Sequence, residues 1–159
     1  MNILNTVLFL LIVPYVQIFI LNPLSPRSFP DMAPSLFIAS LVLFASKIPA
    51  SYSYVYAFLL GAAASAIYGH PLAFDSISFL VIVYSVKKFS ENFDMSGFGG
   101  QFVLGFAASI LNFIFLILFS QFLLISAPRF AGAIPQAAGT GLLLVFLFNF
   151  VLRGRRQMR

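Results

Sequence analysis

Apolar stretches without a polar alternate face run along most of the chain, separated by short connections that carry proline, glycine or charge. Ile114-Phe-Leu-Ile-Leu-Phe119 and Leu142 to Phe148 are examples. Transmembrane β-strands would instead alternate polar and apolar positions over about ten residues. The other way to satisfy a backbone in lipid is the α-helix, which closes its hydrogen bonds within one segment. The pattern predicts six spans, at residues 3–21, 33–46, 50–68, 72–86, 101–125 and 136–152. The expected fold is an all-α integral membrane protein, a six-transmembrane-helix bundle forming one domain over residues 1–159.

Proline fits these divisions. Pro23, Pro26, Pro30, Pro34, Pro49, Pro71, Pro128 and Pro135 fall in expected connections or first helical turns, where a missing N–H does little harm. Pro14 sits within the first span, where it predicts a kink that leaves the Leu10 carbonyl for a neighbour or a water. The second and fourth spans are short, with a rise of roughly 21 Å. Snorkelling of Lys47, Lys87 and Lys88 is expected to make up the difference. Tyr52, Tyr54, Tyr56, Tyr68 and Tyr84 stand where interfacial belts are expected.

Composition agrees. Of 159 residues, 61% are hydrophobic and 8% charged, whereas roughly a quarter of a soluble domain is charged. Six spans take about 120 residues, leaving too little for a soluble domain of at least roughly 50. An ATPase, kinase or protease head is excluded on this reading. The absence of cysteine removes disulfides, thiolate nucleophiles and Cys metal sites. Net charge is +5, and its placement gives it meaning. With six spans, Lys47, Lys87, Lys88, Arg153, Arg155, Arg156 and Arg159 share one side, while Arg27 and Arg129 lie on the other. The positive-inside rule then puts both termini in the cytoplasm. A five-span arrangement would set Lys87 and Lys88 against the C-terminal cluster. Lys47, Lys87, Lys88, Arg153, Arg155 and Arg156 read as topology anchors beside anionic lipid, not as a nucleic-acid arm. The first segment lacks a basic leading region and an A-x-A-like site, and reads as an uncleaved span.

Candidate chemistry is sparse. Polar residues within the spans include Gln17, Ser40, Ser65, Ser78, Ser85, Ser109, Asn112, Ser120, Gln121 and Asn149, and no ionisable side chain other than tyrosine is expected at depth. Proton-coupled pumps usually carry such groups, so this class is disfavoured. His70 and Asp75 fall in the connection between the third and fourth spans. With no evident serine partner and too few groups for a metal, they suggest neither catalysis nor a metal site. Asp75 reads as a cap of the fourth span or the partner of a loop group. Gly97-Phe-Gly-Gly100 lacks the strand and the Lys-Ser/Thr of a phosphate loop, and reads as a flexible turn. No cofactor and no enzymatic activity are expected.

The sharpest local signal is Gly61-Ala-Ala-Ala-Ser65-Ala-Ile-Tyr-Gly69, with small residues at four-residue spacing. Gly105-x-x-x-Ser109 offers a second small face, with Asn112 about one turn on. Small faces let helices approach closely in lipid, where hydrophobic drive between them is weak. Gly61, Ser65, Gly69, Gly105, Ser109 and Asn112 are the candidate packing residues, either within the chain or against a partner helix. Asn112, Gln121 and Asn149 offer interhelical hydrogen bonds of about 0.6 kcal/mol each.

The chain resembles MreD, the small rod-shape-determining membrane protein family of bacteria. The likeness rests on Pro34-Ser-Leu-Phe-Ile, on Gly61-Ala-Ala-Ala-Ser65-x-x-x-Gly69-x-Pro71-Leu72, on Gln101 opening the fifth span with Asn112 in its middle, and on a last helix running into a basic tail. Ser65 and Asn112 stand where members often carry acidic residues. The resemblance implies a non-enzymatic scaffold of the elongation (rod shape) complex in the bacterial inner membrane. It would support lateral cell-wall synthesis and cell shape by binding the single-span protein MreC, and through it MreB, RodA and the elongation transpeptidase. Dimerisation stays open. That family also looks like the substrate-binding S components of energy-coupling-factor vitamin transporters, which supplies the alternative reading.

Overall fold

The computed structural model describes residues 3–24, 33–71, 74–93, 97–123 and 130–156, and side chains over 10–23, 33–71, 74–93, 97–120 and 132–149. Six α-helices follow one another: α1 (Ile3–Val16), α2 (Leu36–Lys47), α3 (Ala50–Tyr68), α4 (Phe74–Ser90), α5 (Phe98–Leu123) and α6 (Phe130–Arg156). α1 continues into a π-helical turn, Gln17–Leu21, and a 3₁₀ turn, Asn22–Leu24. Pro26, Arg27, Pro30, Leu72, Pro128, Arg129 and Arg159, all used in the sequence reading, lie outside the described residues.

Local chemistry explains the helix ends. Ser35, extended at φ −87° and ψ 103°, caps α2 by accepting from the Ile38 N–H at 3.3 Å. Ile48 turns extended at φ −120°, as a residue before proline prefers, and α2 stops. Gly69 ends α3 in the left-handed region at φ 69°, and the His70 N–H closes the turn onto the Ser65 carbonyl at 3.0 Å.

α2 is the centre of the bundle. Every residue from Leu36 to Ala45 is buried, and the other five helices all pack against it. At 12 residues it rises about 18 Å. Such a helix has no amphipathic stripe because it has no outer face. Phe37, Ile38, Leu41, Val42 and Phe44 meet Tyr56, Leu60, Ile82, Val83, Leu104, Leu144 and Phe148 in one core. The Phe44 ring stacks on Tyr56 at 4.0 Å between centroids.

α3 with α4, and α5 with α6, are the most intimate pairs, and glycine sets both crossings. A Cβ on Gly61 would come within 2.4 Å of the Ser76 Cα, and one on Gly141 within 2.8 Å of the Phe102 carbonyl oxygen. A Cβ on Gly105 would stand 3.0 Å from the Gly141 Cα.

Several sequence expectations need correction. Pro135 lies inside α6, which begins at Phe130, not at Gln136. α5 starts at Phe98, so Gly99 and Gly100 belong to a helical first turn and not to a flexible loop. α4 extends to Ser90, beyond the expected end at residue 86. Among the described residues, three helical stretches are long and apolar enough to cross a membrane: Ala50–Tyr68, Phe98–Ser120 and Gly132–Asn149. α2 and the segment Leu10–Leu21 are shorter apolar helices. α2 is enclosed by its neighbours from Leu36 to Ala45, and its terminal Lys47 stands over the Phe148 ring of α6.

The crossings predict a sharp contrast between glycines. Gly61→Ala must push α4 away and should lower stability by about 1–3 kcal/mol, read as thermal unfolding in detergent. Gly99→Ala meets nothing within 4 Å and should be neutral or stabilising by up to about 1 kcal/mol.

Candidate functional site

The α3–α4 crossing at Gly61 brings the next turn of α3 onto the start of α4, and there Ser65 meets Asp75. The Ser65 hydroxyl donates to Asp75 Oδ2 at 2.9 Å and accepts from the Asp75 backbone N–H at 3.1 Å. This reciprocal pair satisfies one of the free N–H groups of the first turn of α4. A carboxylate near a helix N-terminus also gains from the helix dipole. His70 Nδ1 lies 2.9 Å from the same Oδ2. Asp75 is 4% exposed and the His70 side chain 18%. The His70 ring lies 5.9 Å from Tyr68 and meets Phe74 edge-on at 5.7 Å.

Polar contacts continue from Tyr68 into the start of α2. The Tyr68 hydroxyl pairs with the Asn22 side chain, whose Oδ1 accepts from Gln17 Nε2 at 2.8 Å. Gln17, buried in the π-helical turn, accepts the Leu36 N–H at Oε1 at 2.6 Å and donates to the Pro34 carbonyl at 3.3 Å. Thr140 on α6 accepts the Ser35 N–H at 3.0 Å and donates back to the Gln136 carbonyl at 2.7 Å. Gly139 lets Pro34 come close, since a Cβ there would stand 2.8 Å from the proline ring.

The opposite end of α2 is served by hydroxyls and lysine. Ser53 donates to the carbonyls of Ile48 and Pro49 at 3.3 and 3.1 Å, and Lys87 Nζ donates to the Ile48 carbonyl. Partial burial lowers the Lys87 ammonium pKa from its ordinary value. Lys47 Nζ stands 5.0 Å from the centre of the Phe148 ring. Lys88 is exposed and pairs with Glu91 at 3.3 Å. Arg153, Arg155 and Arg156 fall in the last turns of α6, beyond Phe148.

The structure separates the sequence candidates. Gly61 and Gly105 are occupied by α4 and α6, so no outside helix has access to them. Ser65 serves Asp75. Gly69 does not continue the packing face: a Cβ there meets nothing within 4 Å, and its role is the left-handed helix cap. Ser109 is buried in α5. Asn112 joins α5 to α4 by accepting from the Ser78 hydroxyl at 2.7 Å. Asp75 is buried within the protein but sits in the first turn of α4, and Ser65 is a serine partner for it that the sequence does not show. Sequence spacing hid this cluster because Ser65 is five residues before His70 and ten before Asp75. Only the turn at Gly69 and Pro71 folds them together.

Between α4 and α5 lies an apolar cleft of about 110 Å³, lined by Ile82, Val86, Phe89, Leu104, Ala108 and others. It is below the roughly 300–1,000 Å³ of small-molecule sites and lacks their convergent polar groups. Ser85, at its edge, returns its hydroxyl to the Val81 carbonyl. The polar cluster at the Asp75 end is the better candidate.

Ser65→Ala removes one donor from the buried carboxylate and strands the Asp75 N–H. It should lower the unfolding free energy by about 1–3 kcal/mol in detergent. Gly69→Ala should cost about 1–2 kcal/mol through backbone strain alone. Compared with protein-family models, curated proteins and solved structures, the chain finds no match in any of the three.

Proposed function

We propose that this protein is a non-enzymatic membrane scaffold of the bacterial elongation complex, of the MreD kind, which binds a single-span MreC-like protein and supports lateral wall synthesis. The observation that carries the reading is the position of α2: a helix buried from Leu36 to Ala45 fills the centre that a substrate-binding module would keep open for its ligand. A filled, glycine-locked bundle suits a part that holds a partner in place. Because Gly61 and Gly105 are occupied internally, the partner helix meets outward-facing side chains of the long apolar helices, such as Val55, Phe58, Val103, Ile114 and Leu118.

In this reading both ends have a use. Lys47, Lys87 and Lys88, with the arginines of the last turns of α6, anchor the cytoplasmic rim in the inner membrane against anionic lipid. MreB, RodA and the elongation transpeptidase are reached through the partner.

One observation favours the alternative, a transporter S component. Gln17, Asn22, Tyr68, His70 and Asp75 gather at one end of the bundle, where a polar ligand would enter. Native mass spectrometry of the detergent-extracted protein separates the two readings. The scaffold reading expects a stoichiometric single-span protein bearing a coiled coil. A retained vitamin-sized molecule, with no such protein, would replace it by the transporter reading.

A further inference from the structure

We propose that the apolar cleft between α4 and α5 seats one acyl chain of a membrane phospholipid, whose phosphate is met by Lys88. This rests on the chain lying in a membrane and not on the scaffold reading.

The cleft has a closed end and an open one. The Ser78 hydroxyl and the Asn112 side chain fasten α4 to α5 at 2.7 Å. One turn further along α4 the helices part, and the walls become Ile82, Val86 and Phe89 on one side and Leu104, Ala107 and Leu111 on the other. Ala107 and Ala108 bring little bulk to the α5 side, so no side chain of the protein fills the space. From Ile82 to Phe89, and from Val103 to Leu111, the walls rise about 10–12 Å. One leaflet of a bilayer core is about 15 Å deep. The cleft therefore runs over much of the depth that an acyl chain occupies, and it opens past the exposed Val103 and Phe89.

Its size selects the occupant. The volume of about 110 Å³ compares with the roughly 150 Å³ of a dry apolar cavity that accepts benzene. A run of methylenes fits there, whereas a helix about 10 Å across does not. The chemistry agrees, because Ser85, the hydroxyl among the lining side chains, is already spent on the Val81 carbonyl at 2.9 Å. In lipid such a space is filled by hydrocarbon, since its walls would otherwise forfeit their dispersion contacts.

Charge at the open end points to a phospholipid. The Phe89 ring stacks on Phe93 at 4.6 Å and carries the apolar wall onward. Lys88 stands one turn beyond Ser85 on α4, with its side chain exposed. Lys87 is turned the other way, onto the Ile48 carbonyl. The partner of Lys88 is Glu91, at 3.3 Å and equally exposed. Such surface pairs are weak, so the ammonium is able to turn to a phosphate above the cleft.

The test uses full-length protein reconstituted with equal amounts of phosphatidylglycerol and diacylglycerol, extracted into detergent and weighed by native mass spectrometry. One phosphatidylglycerol per chain should be retained, at a mass distinct from a vitamin or a single-span protein. Ala107→Phe, which fills the cleft from an exposed position, should cut retention about tenfold or more. Ala66→Phe, exposed on α3, should leave it unchanged. Lys88→Gln should reduce the preference for phosphatidylglycerol over diacylglycerol by about fivefold. No retained lipid, retention that survives Ala107→Phe, a preference that survives Lys88→Gln, or a lipid-free dimer each overturns the proposal.

A second measurement needs no variant. Phosphatidylglycerol carrying a diazirine in mid-chain, retained through extraction and then illuminated, should label the peptides holding Ile82–Phe89 and Val103–Leu111. Labelling spread evenly over the exposed faces of α3 and α6 would overturn the proposal whatever the variants do.

Discussion

A short helix enclosed on every side leaves the N–H groups of its first turn and the carbonyls of its last turn without partners, and neither water nor its own ladder can supply them. That constraint organises this protein. α2 is such a helix from Leu36 to Ala45, opening to the surface only at Lys47, and residues from four other helical segments meet its ends. Gln17 from the turn after α1 and Thr140 from α6 take N–H groups at its start, while Ser53 from α3 and Lys87 from α4 serve carbonyls at and just past its end. Each left unmade would cost about 1–3 kcal/mol. The π-helical turn at Gln17 has a physical reason in this setting, because it belongs to the segment that carries the amide to the start of α2. Lysine at the far end also suits the negative pole of the helix dipole.

Close packing around that helix uses the small residues. Gly61 and Gly105 remove side chains where α3 crosses α4 and where α5 crosses α6, and Gly139 and Gly141 do the same for Pro34 and Phe102. In lipid, where apolar side chains gain little by leaving one another's company, such backbone approaches and buried hydrogen bonds supply much of the cohesion. The consequence for function is direct. Under the proposed scaffold function, small faces committed within the chain would leave a partner helix the large outward side chains of α3 and α5. In that role the filled bundle would present a fixed surface, with Ser65 and His70 bonded to Asp75 at one end.

Much of this architecture was legible in the sequence. Apolar runs marked the helices, the row from Gly61 to Ser65 marked a crossing, and Asn112 marked an interhelical bond. What was not legible depended on tertiary position. The run from Leu36 to Lys47 looks like any short apolar helix, and nothing in its composition says that it is the innermost. Gly139-Thr-Gly141 carries two close approaches and a cap, yet three residues in a row make no periodic pattern. Gly69 continued the four-residue spacing but serves as a left-handed cap, a distinction made by φ and not by residue type. Asp75 reads from the sequence as a cap or the partner of a loop group, which His70 is, but Ser65 precedes it by ten residues across a turn and carries no such signal.

The central claim, that α2 is the enclosed and end-satisfied core of the bundle, is tested most directly by amide hydrogen exchange in nanodiscs. Exchange at Leu36–Ala45 should be among the slowest in the protein, with the N–H groups of Ser35 and Leu36 protected despite their position at a helix start. Fast exchange at Ser35 and Leu36, or a whole α2 that exchanges more readily than the long helices around it, would contradict the account.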